Sequence, residues 1–166
     1  TESGVIEIYF DIYTGTTAPI VIPVGLQPQG LDSADIDGDG DLDIAVVNAG
    51  SDTVSILTNN GSKFSVVDIE VTAGPVDLAF GDFITANPSP DLAVAATESD
   101  AIDVLENILT ARGSDFIVIN TIGIGRPKDI DPGDVNNDKD LDYISNSRSD
   151  STTTAQTGDG QGGANS

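Results

Sequence analysis

Asp35-Ile36-Asp37-Gly38-Asp39-Gly40-Asp41-Leu42-Asp43 is the stretch on which the reading of this chain turns. Carboxylates stand at loop positions 1, 3, 5 and 9, and the backbone carbonyl of Asp41 is available at position 7. That is the oxygen set a hard cation such as Ca²⁺ takes. Alternate side chains of a tightly curved loop point inward, and Gly38 and Gly40 accept the backbone angles such curvature demands. Without a cation, so many carboxylates in so short a loop would repel one another. A second copy follows as Asp134-Val135-Asn136-Asn137-Asp138-Lys139-Asp140-Leu141-Asp142. Asn136 replaces one carboxylate with an amide oxygen, still a hard donor. Lys139 stands where the first loop has Gly40, which predicts a weaker or differently shaped second loop. The expected ligand sets are Asp35, Asp37, Asp39, Asp43 with the carbonyl of Asp41, and Asp134, Asn136, Asp138, Asp142 with the carbonyl of Asp140.

These loops do not sit in an EF-hand. That motif needs flanking helices and a bidentate acid at position 12, where this chain has Val46 and Ser145. The first loop leads instead into Ile44-Ala45-Val46-Val47, an apolar run of strand character. The loops also belong to a longer repeat. Pro28, Pro75 and Pro127 each precede an aspartate by seven residues (Asp35, Asp82, Asp134), with an apolar residue three after the proline. A strand start follows each: Asp43-Ile44-Ala45-Val46, Asp91-Leu92-Ala93-Val94 and Asp142-Tyr143-Ile144. The spacing is 47 and then 52 residues, a period of propeller blades. From about Pro28 to Asp150 the chain resembles the FG-GAP/VCBS repeat family, whose blades carry a Gly-Asp-x-Asp-x-Asp-Gly-x-x-Asp-Leu signature. The resemblance implies all-β, propeller-like four-stranded blades with calcium at the intact loops. The middle repeat departs from it: Phe83-Ile84-Thr85-Ala86-Asn87-Pro88-Ser89-Pro90 lies between Asp82 and Asp91 without the intervening acids, so no calcium, or only a weak site, is expected there.

The expected organisation is a partial blade over 1–27, a blade with a calcium loop over 28–74, a blade with a degenerate loop over 75–126, and a partial blade with a calcium loop and polar tail over 127–166. Strands are expected over 5–13 and 20–24, with a turn at 14–17 between them. The first full repeat predicts strands at 30–36, 42–48, 53–58 and 64–71, the last two joined by an Asn60-Gly61 hairpin. The second predicts 77–83, 91–96, 101–109 and 116–122, with a hairpin loop at 110–115. Residues 102–109 also read as a short helix, and their place in the repeat favours strand. Residues 149–160 align with the strand and turn at 51–62, their apolar residues replaced by threonines; composition alone reads them as a disordered linker, and the repeat alignment, which is favoured, as a polar edge strand and its turn.

Composition narrows the function. Six basic residues stand against 28 acidic ones, a net charge of −22, which opposes binding to nucleic acid or to an anionic membrane surface. The chain has no cysteine and no histidine, which removes thiolate chemistry, histidine-ligated zinc and Ser-His triads. The obvious aspartates are taken by cation loops, so the chain reads as a non-enzyme. No apolar run approaches transmembrane length, so no membrane insertion is expected. Loops of this kind usually work in the millimolar calcium outside cells, which points to an extracellular or cell-surface location. Asn60-Gly61-Ser62 is a glycosylation sequon, although Asn-Gly is also what a hairpin turn requires. Tyr9, Tyr13 and Tyr143 read as residues packed beside strands.

The expected function is an extracellular calcium-binding structural or adhesive repeat that self-associates head to tail, as a homo-oligomer or filament. Two whole blades flanked by partial ones are too few to close a propeller and leave open strand edges, which the strands of a second copy could pair. The alternative is a ligand-binding propeller fragment, lectin- or integrin-like, presenting loops to glycans or cell-surface proteins.

Overall fold

The computed structural model describes residues 4–10, 13, 18–61, 63–84, 89–110, 113–147 and 153–156. The described chain is all β, with thirteen strands in four antiparallel sheets and no closed barrel. The first sheet pairs β1 (Gly4–Ile8) with β2 (Ile20–Val24). The second, blade 1, orders β3 (Pro28–Ala34), β4 (Asp43–Asn48), β5 (Thr53–Asn59) and β6 (Phe64–Glu70) in chain sequence. Blade 2 repeats that order with β7 (Pro75–Gly81), β8 (Asp91–Ala96), β9 (Ala101–Thr110) and β10 (Gly113–Gly123). Blade 3 has β11 (Pro127–Gly133), β12 (Asp142–Ser147) and β13 (Thr153–Gln156). The leading strands β3, β7 and β11 pack against one another in turn.

Alternation along the second strand of each blade explains why the sheets stack. In β4, Ala45 and Val47 enter a core shared with Leu78, Phe80, Leu92 and Val94 of blade 2, whereas Val46 enters a core with Ile22 and Val24 of β2. In β8, Leu92 and Val94 face blade 1, and Ala93 and Ala95 join Ile130 and Tyr143 of blade 3. A strand covered on both faces reads as a continuous apolar run, and Asp91–Ala96 is buried throughout. Each fully buried Val or Leu contributes about 1.5–3 kcal/mol relative to exposure, so these faces carry most of the stacking energy.

The connections repeat as faithfully as the strands. Gln27, Gly74 and Arg126, each just before a blade's first proline, have φ of 52°, 71° and 40°. Asp52 and Asp100, in the turns after β4 and β8, have φ of 54° and 53°. Each of these aspartates accepts the N–H of the next linker's positive-φ residue: Gly74 at 2.9 Å and Arg126 at 3.2 Å. At Gly74 a Cβ would run into Cβ and Cγ of Glu98, so this linker, unlike those with Gln27 and Arg126, calls for glycine. The third strand pins the preceding linker too. Ser55 accepts from Gly25 N–H at 3.4 Å and donates to Asp68 at 2.6 Å. In blade 2 the pair is exchanged: Asp103 accepts from Thr72 N–H and from Thr121 Oγ1, both at 2.7 Å.

Several expected boundaries move. β1 stops at Ile8 rather than running to residue 13, and Tyr13 is exposed rather than packed beside a strand; Tyr143 is the buried tyrosine. β3 ends at Ala34, so Ile36 belongs to the loop. β10 begins at Gly113, because Gly113, Ser114 and Asp115 pair with Thr110, Leu109 and Ile108 and extend the hairpin. Residues 102–109 are strand. At Asn60-Gly61 only Gly61 takes positive φ, 74°, and Asn60 N–H donates to the Lys63 carbonyl, so Asn60 closes the turn instead of standing within it. Part of the polar tail is strand β13. The turn at 14–17, Ser62 of the sequon, residues 85–88 of the middle loop, the turn residues 111–112 and the tail beyond 156 lie outside the described residues.

Candidate metal centre

The first loop is folded by its own aspartates. Asp35 accepts N–H bonds from Gly38 (2.8 Å) and Gly40 (3.1 Å), Asp37 from Asp39 (3.2 Å), and Asp39 from Asp41 (2.8 Å). Each bond bends the backbone back over the preceding side chain. Gly38 and Gly40 sit at φ of 78° and 92°, where glycine carries no steric cost. The result gathers one carboxylate oxygen each from Asp35, Asp37 and Asp39 within 4.8 Å of one another. Among the described residues this is the one group of three acids so placed. Two like charges about 4 Å apart repel by about 1 kcal/mol in water and about 4 kcal/mol at the effective dielectric of a protein surface. The arrangement therefore favours a cation, and its all-oxygen donors suit Ca²⁺ or Mg²⁺ rather than a soft metal.

The second loop keeps the same turn bonds, so of the two outcomes expected from Lys139, weaker binding or a different shape, the different shape is not what the structure shows. Asp134 accepts from Lys139 N–H at 3.1 Å, Asn136 Oδ1 from Asp138 N–H at 2.8 Å, and Asp138 from Asp140 N–H at 2.9 Å. Asn137 and Lys139 occupy the two left-handed positions at φ of 63° and 81°. The turn bonds prevail over the lysine's preference, at a strain of about 1–2 kcal/mol. Asn136 also donates its amide N–H to the other oxygen of Asp138 at 2.7 Å, so both oxygens of that carboxylate accept hydrogen bonds.

The aspartate that ends each loop, ninth in the two acidic loops and tenth in the longer middle one, has an architectural part that the spacing did not disclose. Asp43 is fully buried and accepts two backbone N–H bonds, from Ile36 at 2.9 Å and from Asn59 at 2.7 Å. Asp91, in the loop without acids, does the same for Ile84 (2.9 Å) and Asn107 (3.0 Å). Asp142 accepts from Val135 N–H at 2.9 Å. In the first two blades this aspartate closes the loop onto the third strand, whether or not the loop is acidic. Burial raises the pKa of Asp43 against those two N–H bonds, and pushes Asp91 up to about 6. A carboxylate oxygen has a second lone pair, so Asp43 and Asp142 retain the capacity to reach a cation as well. Asp41 is exposed and Asp140 half-buried.

Asn59 and Asn107 were missed by sequence reasoning. Each follows its aspartate by 16 residues, and each side chain donates to the carbonyl before that aspartate: Asn59 to Leu42 at 3.3 Å, Asn107 to Pro90 at 3.1 Å. Asparagine at one offset in two repeats was the available signal. The described part of the middle loop places Phe83 and Ile84 against the core shared by blades 2 and 3, in place of a cluster of acids. No helix among the described residues is long and apolar enough to cross a membrane. No curated protein matches the chain. Residues 35–83, from the first acidic loop through β4 to β7, match the model of the FG-GAP-like repeat family, and that stretch is what this chain shares with a known family.

Proposed function

We propose that this chain is a calcium-binding β-repeat module, non-catalytic and extracellular, in which Ca²⁺ at the acidic loops stiffens the ends of stacked blades. The observation that carries this reading is the gathering of one carboxylate oxygen each from Asp35, Asp37 and Asp39 within 4.8 Å of one another, in a loop shaped by its own turn bonds. Mg²⁺ competes poorly, because a loop of this kind does not supply its strict octahedron and short bonds. The second loop binds more weakly, with one amide donor and a strained lysine. A thermal melt of the chain in Ca²⁺ and in EDTA tests the proposal: calcium raises the melting temperature and Asp39→Ala removes most of the rise, whereas identical melts in the two conditions contradict it.

Self-association belongs to the same reading. β1 pairs only with β2, and β13 only with β12, among the described residues, so each offers an edge of unpaired N–H and C=O groups. Head-to-tail pairing of these edges between copies would give rings or filaments. Sedimentation in millimolar calcium should show oligomers that deletion of residues 1–24 abolishes; a monomer at high concentration refutes it. One observation favours the ligand-binding alternative. A largely apolar groove of about 380 Å³, lined by Ile8, Phe10, Ile20, Leu42, Ile44 and Phe64, adjoins the first loop. Saturable, calcium-dependent binding on a glycan array would support that reading.

A further inference from the structure

Blade 2 takes hold of the first acidic loop at its second position, between two of the gathered acids. The Ile36 side chain is fully buried in the core that blade 1 shares with Leu78, Phe80, Leu92 and Leu105. Its carbonyl accepts a 2.9 Å bond from the amide of Asn107, a fully buried residue 71 positions away on β9. The same amide holds the Pro90 carbonyl, and the Asn107 N–H is fixed on Asp91, so the donor is itself anchored within blade 2. The counterpart in blade 1, Asn59, bonds only within its own blade in the contacts described above. In the second loop the residue equivalent to Ile36 is Val135, which is 48% exposed.

We infer that the first loop is a two-blade site, in which Asn107 and the burial of Ile36 position Asp35 and Asp37, so that cation binding and the docking of blade 2 on blade 1 stabilise each other. The inference rests on the reading of this loop as a cation site. Its physical content is linkage: if blade 2 improves the loop's affinity, the bound cation must improve blade 2's docking by the same factor. Asn107 is thus a positioning residue, acting on the acids through the backbone of Ile36, and the second loop lacks such a tether among the described residues.

The test isolates each loop. In an Asp138→Ala background only the first loop is intact, and calorimetric titration with Ca²⁺ should show Asn107→Ala weakening binding by about fivefold, the worth of one lost hydrogen bond. In an Asp39→Ala background only the second loop remains, and Asn107→Ala should leave its affinity unchanged. Because Asn107→Ala also removes bonds inside blade 2, the reciprocal effect is read without it. In the Asp138→Ala chain, Ca²⁺ should slow hydrogen exchange at β8 and β9 amides as well as in the loop, and in the Asp39→Ala chain it should not. Protection confined to blade 1, or unchanged first-loop affinity in Asn107→Ala, overturns the two-blade site while leaving calcium binding intact. Absence of first-loop binding in the Asp138→Ala parent overturns the calcium reading itself, and this inference with it.

Discussion

The two acidic loops share a backbone and differ in what stands behind it. In both, the side chains at positions 1, 3 and 5 accept N–H bonds from residues further along, and the fourth and sixth residues turn left-handed. The first loop achieves this with two glycines and three convergent carboxylates; the second with Asn137, Lys139 and one amide. The first is backed by blade 2 through Ile36 and Asn107, whereas Val135 of the second stands half in solvent. Loop shape is therefore local, written in short polar side chains. Charge density and rigidity are separate properties, and in this chain the first loop holds both.

The sharpest way to break the comparison is at the aspartate that ends each loop, which accepts backbone N–H bonds in all three. Asp91→Ala leaves two N–H groups without their acceptor at about 1–3 kcal/mol each, so a loss of about 3 kcal/mol is expected in urea denaturation. Calcium stoichiometry should stay the same in this variant, since the middle loop lacks the acids. A loss below about 1 kcal/mol would show that this aspartate is not architectural. Calcium itself comes next. With free Ca²⁺ at a hundredfold excess over Kd, a site contributes about 2.7 kcal/mol, removable with EDTA. Asp39→Ala should remove more of this than Asp138→Ala, and equal effects would erase the distinction between the loops.

The strained lysine gives a smaller effect of opposite sign. Lys139→Gly should stabilise the chain by about 1 kcal/mol, and Gly40→Lys should cost about as much, both read from denaturation midpoints in EDTA. Smallest is the response to pH. Burial is the main cause that pushes both Asp77 and Asp91 up to about 6, with hydrogen bonding to Asp129 adding to it at Asp77 and the Ile130 N–H opposing it. A carboxyl with a raised folded pKa binds protons more tightly in the folded chain. Its contribution is fully present below about pH 4 and is lost as pH rises through about 6. In EDTA, stability should therefore decline over that window. Asp77→Asn keeps an acceptor for Ile130 N–H, 3.0 Å away, and should flatten part of the decline; an unchanged slope would remove Asp77 from the account.

Much of this was legible in the sequence, because the repeat is written in local chemistry. Proline, aspartate and glycine at fixed offsets mark linker, loop and strand start, and the strand Asp91–Ala96 stands where the repeat places it. What escaped was non-local. An aspartate at position 9 of an acidic loop reads as a ligand, and only burial and the N–H groups of Ile36 and Asn59 disclose its second part. The hairpin extension at Gly113–Asp115 looked like a loop because its residues favour turns, and cross-strand pairing with β9 prevails. Lys139 read as making the second loop weaker or differently shaped, and the bonds of Asp134, Asn136 and Asp138 keep its shape. The asparagines carry no charge, and only their shared offset of 16 in two repeats could single them out.

The most direct test of the central claim, that the first loop is a calcium site and the stronger of two, is calorimetric titration of Ca²⁺ into the metal-free chain beside Asp39→Ala and Asp138→Ala. The account predicts two unequal sites, with the tighter lost in Asp39→Ala and the weaker lost in Asp138→Ala. No saturable heat at millimolar Ca²⁺, or a tight site that survives Asp39→Ala, would contradict it.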